Sequence, residues 1–289
     1  MLYRLDAKKG RGLDDLISSL TPSPLEEISA PKQYGKTPFS LLIEKLEEYL
    51  QIRNSMNQEP YIKFPSTKDT FYLQNTVTEI LPPAMINGFV QLVPPYISST
   101  SKRDLSRFLT HLIQQSYDAG YNQFYLDTTD VEKLQGLGAT LKGKSKRPLE
   151  INVDGPISDY FLNNAKKVVA TLKTQSEPMF TGHRAKKIHL TITGPAGVHT
   201  GVHADYSSFV IQGEPSVDHA GYGLGMDARF SSFRLESFGT KKYWPFGEVA
   251  FPFGCTFKTN TPETMDNILQ YLPLGNRAIF IHPDGTEET

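Results

Sequence analysis

The stretch AGVHTGVHADYSSFVI at residues 196–211 returns 24 positions later as AGYGLGMDARFSSFRL at 220–235, with seven of sixteen positions identical. Ala196, Gly197, Gly201, Ala204, Ser207, Ser208 and Phe209 answer to Ala220, Gly221, Gly225, Ala228, Ser231, Ser232 and Phe233. A more worn copy lies upstream: INVDGP at 151–156 aligns with LTITGP at 190–195 at an offset of 39, which sets Ala165 opposite Ala204. A unit of about two dozen residues with short strands and glycine corners cannot bury its own apolar face, so copies must stack and share a core. Stacking predicts Phe209 above Phe233, with Phe257 in CTFKT one further step along the same ladder. The alanines then fit tight corners, the glycines supply left-handed backbone or close approach, and the paired serines bridge backbone groups between copies. A spacing of 19 between Gly194 and Gly213, against 24 between Ala196 and Ala220, places a five-residue insertion on a loop. A β-sandwich of look-alike hairpins also uses short strands at regular spacing, and parallel stacking of Phe209 on Phe233 is what separates the two.

Outward from the repeat, the same texture of short alternating strands runs through LEINV at 149–153, VVATL at 168–172, KIHLTI at 187–192, SFVIQ at 208–212 and SFRLE at 232–236. The fold expected is mixed α and β: a right-handed β-solenoid over 129–254, an α/β portion over 39–128, an N-terminal arm over 1–38 and a βαβ-like cap over 255–289. The cap reads as strand CTFKT, helix PETMDNILQYL opened by Pro262, and strand RAIFIH after Gly275. The arm is poor in large apolar side chains, apart from LDDLISSL at 13–20, which suits a docked helix. A helix is predicted over 39–53 from Leu42, Leu46, Tyr49 and Leu50, and another over 102–118 from Leu105, Phe108, Leu109, Leu112 and Ile113, with Ser101 and Asp104 as capping residues and Gly120 as its stop. Between them YIKF, TFYLQ and FVQLV, punctuated by Pro82, Pro83, Pro94 and Pro95, read as strands with prolines at their ends.

The formal charge of the 289 residues is −1, so the chain as a whole has no bias toward polyanions. Local charge differs, with ten basic and four acidic residues between Lys142 and Lys187. The single cysteine, Cys255, excludes an intramolecular disulfide and a four-cysteine metal site. No run of 18 apolar residues and no signal-peptide pattern occurs, which implies a cytoplasmic protein without membrane partners.

LTITGPAGVHTGVHADYSSFVIQG, together with KLQGLGATLKGKSKRPLEINVDG at 133–155, resembles the glycine-rich GXGXG β-helix domain found at the C-terminus of the glutamate synthase large subunit and in one of the subunits of formylmethanofuran dehydrogenase. The resemblance covers about 130–238. It departs from the family in Ser-Ser, where glycines are frequent, and in Ser158 and Leu162, which stand where the first copy's corner glycines would be. It implies a structural β-helix and transfers no catalytic residue. The missing cysteines and glutaminase domain set glutamate synthesis aside.

Three constellations carry chemistry. His199, His203 and Asp205, with Asp218 and His219 nearby, combine imidazole and carboxylate groups of the kind that hold a divalent metal with open positions, as a metal-dependent hydrolase requires. Solvated or hydrogen-bonded turn histidines explain the same letters. Gly223, Asp227 and Arg229 occupy the equivalent places in the next copy, so the coil itself does not demand them. Lys142, Lys144, Lys146, Arg147, Lys166, Lys167, Arg184, Lys186 and Lys187 would align along one solenoid edge and meet a nucleic-acid backbone, with Tyr160 and Phe161 for stacking, or would simply keep strand edges soluble. The aromatic loop with Tyr243, Trp244, Phe246, Phe251 and Phe253 suits a pocket, an interface or the junction with the cap. No phosphate-loop, GxSxG or HExxH motif is present. The expectation is a non-catalytic scaffold with a protein partner and no cofactor. The metal-dependent hydrolase and the nucleic-acid binder are the alternatives.

Overall fold

The structure is a computed structural model, and it describes residues 38–56, 67–93, 102–131, 134–213, 223–236 and 252–289. The arm before Pro38, YIKF, Ser101, Asp218, His219 and the aromatic loop up to Phe251 lie outside the described residues.

Among the described residues nine strands form one sheet in chain order: β1 (Gln123–Asp127), β2 (Leu149–Asp154), β3 (Val168–Lys173), β4 (His189–Ile192), β5 (Ser208–Ile211), β6 (Ser232–Leu235), β7 (Thr256–Thr259), β8 (Arg277–Ile281) and β9 (Glu287–Glu288). β1 to β8 pair in parallel, each with its successor, and β9 runs antiparallel to β8. The chain therefore winds as a parallel β-solenoid with about five coils between β2 and β7. Sequential parallel pairing excludes the sandwich, whose neighbouring strands are antiparallel. Register partners run from 149 to 168, 169 to 189, 189 to 208, 208 to 232 and 232 to 256, so successive coils contain 19, 20, 19, 24 and 24 residues. The basic period is thus 19–20. The 24-residue echo is a coil carrying an insertion, and the copy at an offset of 39 lies two coils away.

Each coil returns past its strand through a corner closed by a second ladder one residue wide, Lys142–Lys166–Lys186–Asp205–Arg229–Phe253. The corner is built from alternating left-handed residues. Positive φ recurs at 160, 162, 164 and 167, at 180, 182, 184 and 187, at 199, 201, 203 and 206, and at 223, 225, 227 and 230. Alternation turns successive N–H groups to opposite sides. Phe180 and Arg184 donate forward to Val198 and Val202, while Gly182 and Lys186 donate back to Phe161 and Ala165. In this way corner backbone that forms no strand still pairs with the coils on both sides.

The interior follows from this register. Phe209, Phe233 and Phe257 stack with centroids 5.0 and 5.3 Å apart and rings within 12° of parallel. Ala165, Ala185, Ala204 and Ala228 form a fully buried column beside the one-residue ladder. Ser207 accepts a bond from Ile188 N–H at 3.3 Å, and Ser231 accepts one from Ser207 N–H at 3.1 Å, so the serines join coils as expected.

Four of the described helices precede or flank the first coil: α1 (Pro38–Met56), α2 (Thr67–Thr76), α3 (Pro83–Leu92) and α4 (Lys102–Asp118). The strands expected at TFYLQ and FVQLV are overturned. Pro83 opens α3 at its first turn rather than ending a strand, and Ile86, Phe89, Val90 and Val93 are buried at helical spacing. Tyr72 of α2 stacks on Tyr49 of α1 at 5.9 Å. α4 has the bounds and buried face that its periodicity predicts, and Gly120, at φ 125°, ends it while Tyr121 N–H reaches Ser116 O at 3.0 Å.

α4 also closes the open end of the first coil. Thr110 Oγ1, Gln114 Oε1 and the Tyr117 hydroxyl, spaced i, i+4 and i+7 on one face, accept the N–H groups of Gly138, Lys142 and Lys144 at 2.9, 2.8 and 2.7 Å. These amides have no earlier coil to pair with, so the helix supplies acceptors at coil spacing. At the other end Asn276 accepts from Cys255 N–H at 2.9 Å, and α5 (Pro262–Tyr271) links β7 to β8.

Gly136 and Gly201 both have φ above 70°, but an added Cβ meets nothing at Gly136 and lies 2.7 Å from Phe233 at Gly201. Both alanine variants carry the left-handed penalty of about 1–2 kcal/mol, and only Gly201→Ala adds an overpacking cost of about 1–3 kcal/mol. Urea unfolding of the two should show that ordering; equal losses would mean the Phe ladder is not packed as described.

Candidate functional site: a groove across the coils

Where corner and strand meet, a groove of about 580 Å³ runs from the first coil to β7. The wall on the corner side is the fourth left-handed column, Lys167, Lys187, Tyr206 and Phe230, continued by Gly254. Beyond it lie Val169, His189, Ser208, Ser232 and Thr256, one register column of the sheet, with Ser207 and Ser231 between. Lys144 and Ser145 close the first-coil end. Among the described residues no carboxylate lines it. Glu150, the register partner of Val169 on β2, accepts from Gln123 at 2.9 Å, and Asp205 pairs with Lys186 at 2.8 Å. That carboxylate holds the Lys186 ammonium above its ordinary value.

The two ends differ in chemistry. Lys144, Lys167 and Lys187 make one half cationic. In the other, Tyr206 and Phe230 stack at 5.1 Å with 20° between planes and remain 54% and 49% exposed. Phe253, 59% exposed, meets Phe230 edge-on at 5.8 Å. Exposed rings adjoining one another are an unusual use of apolar area on a protein surface.

The basic residues singled out from sequence divide among several places. Lys142, Lys166 and Lys186 stand in register on the one-residue ladder, and Lys167 and Lys187 stand in the column beside it. Arg147 is bound to α4, its guanidinium over the Tyr117 ring at 4.7 Å and donating to Tyr117 O at 2.8 Å. Arg184 belongs to the third left-handed column with Asn164, His203 and Asp227, and Lys146 to the exposed turn at 145–146. Phe161 is fully buried, so it offers no face to a ligand, and Tyr160 stacks on Phe180 at 4.9 Å. Tyr206 and Phe230 are not among the candidates drawn from the sequence, although a signal for them exists. They are aligned aromatics just before the identical Ser-Ser pairs.

The histidines belong to a second cluster on the corner face. Tyr160, Phe180 and His199 occupy the first left-handed column and stack, Phe180 to His199 at 4.4 Å. His183, which sequence reading passed over, meets Phe180 and His203 edge-on at 5.9 and 5.5 Å, and its Nδ1 lies 3.1 Å from Asn163 Oδ1. His203 faces Asp227 of the next coil at 3.5 Å, while Asp205 turns to Lys186. Among the described residues no group of three or more His, Cys, Asp and Glu side chains is arranged to hold a metal ion. Cys255 is buried, and burial raises its thiol above the ordinary value, which disfavours the reactive thiolate.

Compared with protein-family models, curated proteins and solved structures, the chain matches none.

Burial, then the nearby Arg184, His203 and His199, push the His183 imidazole down to about 4. Between that value and its ordinary 6.5 the unfolded chain takes up a proton that the folded chain refuses. Stability is therefore complete above the ordinary value and declines as pH falls toward 4, by about 1–2 kcal/mol for a half-buried ring. Unfolding measured across that range should show the decline in the native chain and a weaker one in His183→Asn; identical slopes would refute this account.

Proposed function

We propose that the chain is a non-catalytic, cytoplasmic binding scaffold: a solenoid whose task is to present one continuous groove to a partner. The observation that carries this reading is the carboxylate-free groove with lysines at one end and exposed stacked aromatics at the other. The one-residue ladder and the corner hydrogen bonds hold that groove rigid coil by coil, so little ordering cost falls on binding. A right-handed winding accords with the strong preference of parallel strand connections for that hand. Glycine at the left-handed positions of Gly136, Gly138, Gly182, Gly201, Gly223 and Gly225 supports kinship with the GXGXG class of β-helices. The metal-dependent alternative has weaker support, because Asp205 is engaged by Lys186 and His199 stacks on Phe180.

The test compares a folded Lys187→Glu/Tyr206→Ala double variant with the native chain in native-condition capture. A partner held by the native chain should be lost by the variant at least about 10-fold, as expected when a cation and a ring at a contact site are both removed. Equal capture would displace the site from the groove. Ester or phosphoester turnover that vanishes in His199→Ala or His203→Ala would replace the scaffold reading with the hydrolase.

A further inference from the structure

The chemistry of the groove names a class of partner. Resting on the binding reading above, the geometry points to a single-stranded nucleic acid lying along the groove, with phosphates at the Lys144–Lys167–Lys187 end and a base on Tyr206. Coil spacing supplies the scale. Strand neighbours lie about 4.8 Å apart, so five steps from β2 to β7 make a channel of about 24 Å, at the short end of the four-to-sixteen-nucleotide range of single-strand sites. The charge lining the groove has one sign, since three lysines and, among the described residues, no carboxylate line it. The chain's overall charge of −1 makes that local concentration a property of this edge.

Stacking geometry completes the fit. Tyr206 lies against Phe230 on one side, and the position before it in the same column is Lys187, not a third ring. The aromatic column thus stops at Tyr206, beside the cationic half, where a base extends the stack while its phosphate meets Lys187. Every base has a face that can do this, so the contact discriminates little among sequences. Ser208, Ser232 and Thr256 put hydroxyls along the opposite wall, where they serve sugar and phosphate oxygens. An acidic peptide shares the charge match but leaves the end of the stack without a flat partner.

Fluorescence anisotropy of the full chain with a labelled oligouridylate or oligothymidylate of about eight nucleotides tests the inference. Three phosphate contacts on a single strand give a log–log salt slope near −2, so affinity should fall about 15-fold between about 50 and about 200 mM salt. Lys167→Gln with Lys187→Gln should reduce the slope to about −0.7. Tyr206→Ala should weaken binding about 5- to 100-fold while the chain still unfolds in one cooperative transition, since half its ring is already in solvent. Lys173→Gln, at the far end of β3 and paired with Asp154, should change nothing. No retention at low salt, or binding indifferent to the groove variants, overturns the proposal. Polyglutamate displacing the oligonucleotide at equal charge also overturns it, while leaving the scaffold reading standing with a protein in the groove.

Discussion

Every coil must offer hydrogen bonds to two neighbours through a corner too tight for a strand, and the alternating left-handed backbone is the solution on which the rest of the molecule depends. In the coil of Phe180, the amides of 180, 182 and 184 point alternately to the next and the previous coil, and the fourth position, Lys187, donates forward again just before the strand. An L-residue held in this region costs roughly 1–2 kcal/mol, so the corner is expensive unless glycine takes it. Glycine does so at Gly182, Gly201 and Gly225, where a side chain would also strike the Phe ladder. Asn164, Arg184, His203 and Asp227 hold the third position, where Asn, His and Asp tolerate the left-handed region better than most and Arg184 bears the full backbone cost.

That distribution separates buried from outward-facing positions. The second column is closed to variation by the phenylalanines beneath it, although Leu162, fully buried, enters it in the coil after β2. The first and fourth columns point outward and accept large residues despite their backbone cost: Tyr160, Phe180 and His199 in one, Lys167, Lys187, Tyr206 and Phe230 in the other. The backbone cost of bulky side chains where glycine would be easier is offset in part by their contact with each other. In the first column the rings stack among themselves; in the fourth, half of each ring still faces water.

The stacked core was legible because identity survives where packing is strict. Phe209, Phe233 and Phe257, the Ser-Ser pairs and the alanine corners fall in register as the 24-residue echo implies. The coil from 168 to 187 does not read as a copy because Phe180 stands where the two repeat copies have His199 and Gly223, and His183 goes unmarked with it. At α2 and α3, β-branched and aromatic residues set a strand-like local propensity, whereas packing decides the conformation, of α3 on β1 and α4 and of α2 on α4. The basic edge was legible as lysine spacing, but its aromatic half was not sought there. Arg147 and Phe161 could be removed from it only once α4 and the core were in view.

The ends explain why the groove stops where it does. A solenoid with bare ends would pair with other copies through its unpaired amides. At the first coil, α4 answers this with Thr110, Gln114 and Tyr117, and in doing so draws Arg147 away from the groove while leaving Lys144 at its mouth. At the last, Asn276 binds Cys255 N–H and two carbonyls, of Pro252 and Pro273, so that Gly254 closes the aromatic wall without a side chain. Capping and the make-up of the groove are thus coupled. The same contacts that end the stack determine which charges and rings are left to line it.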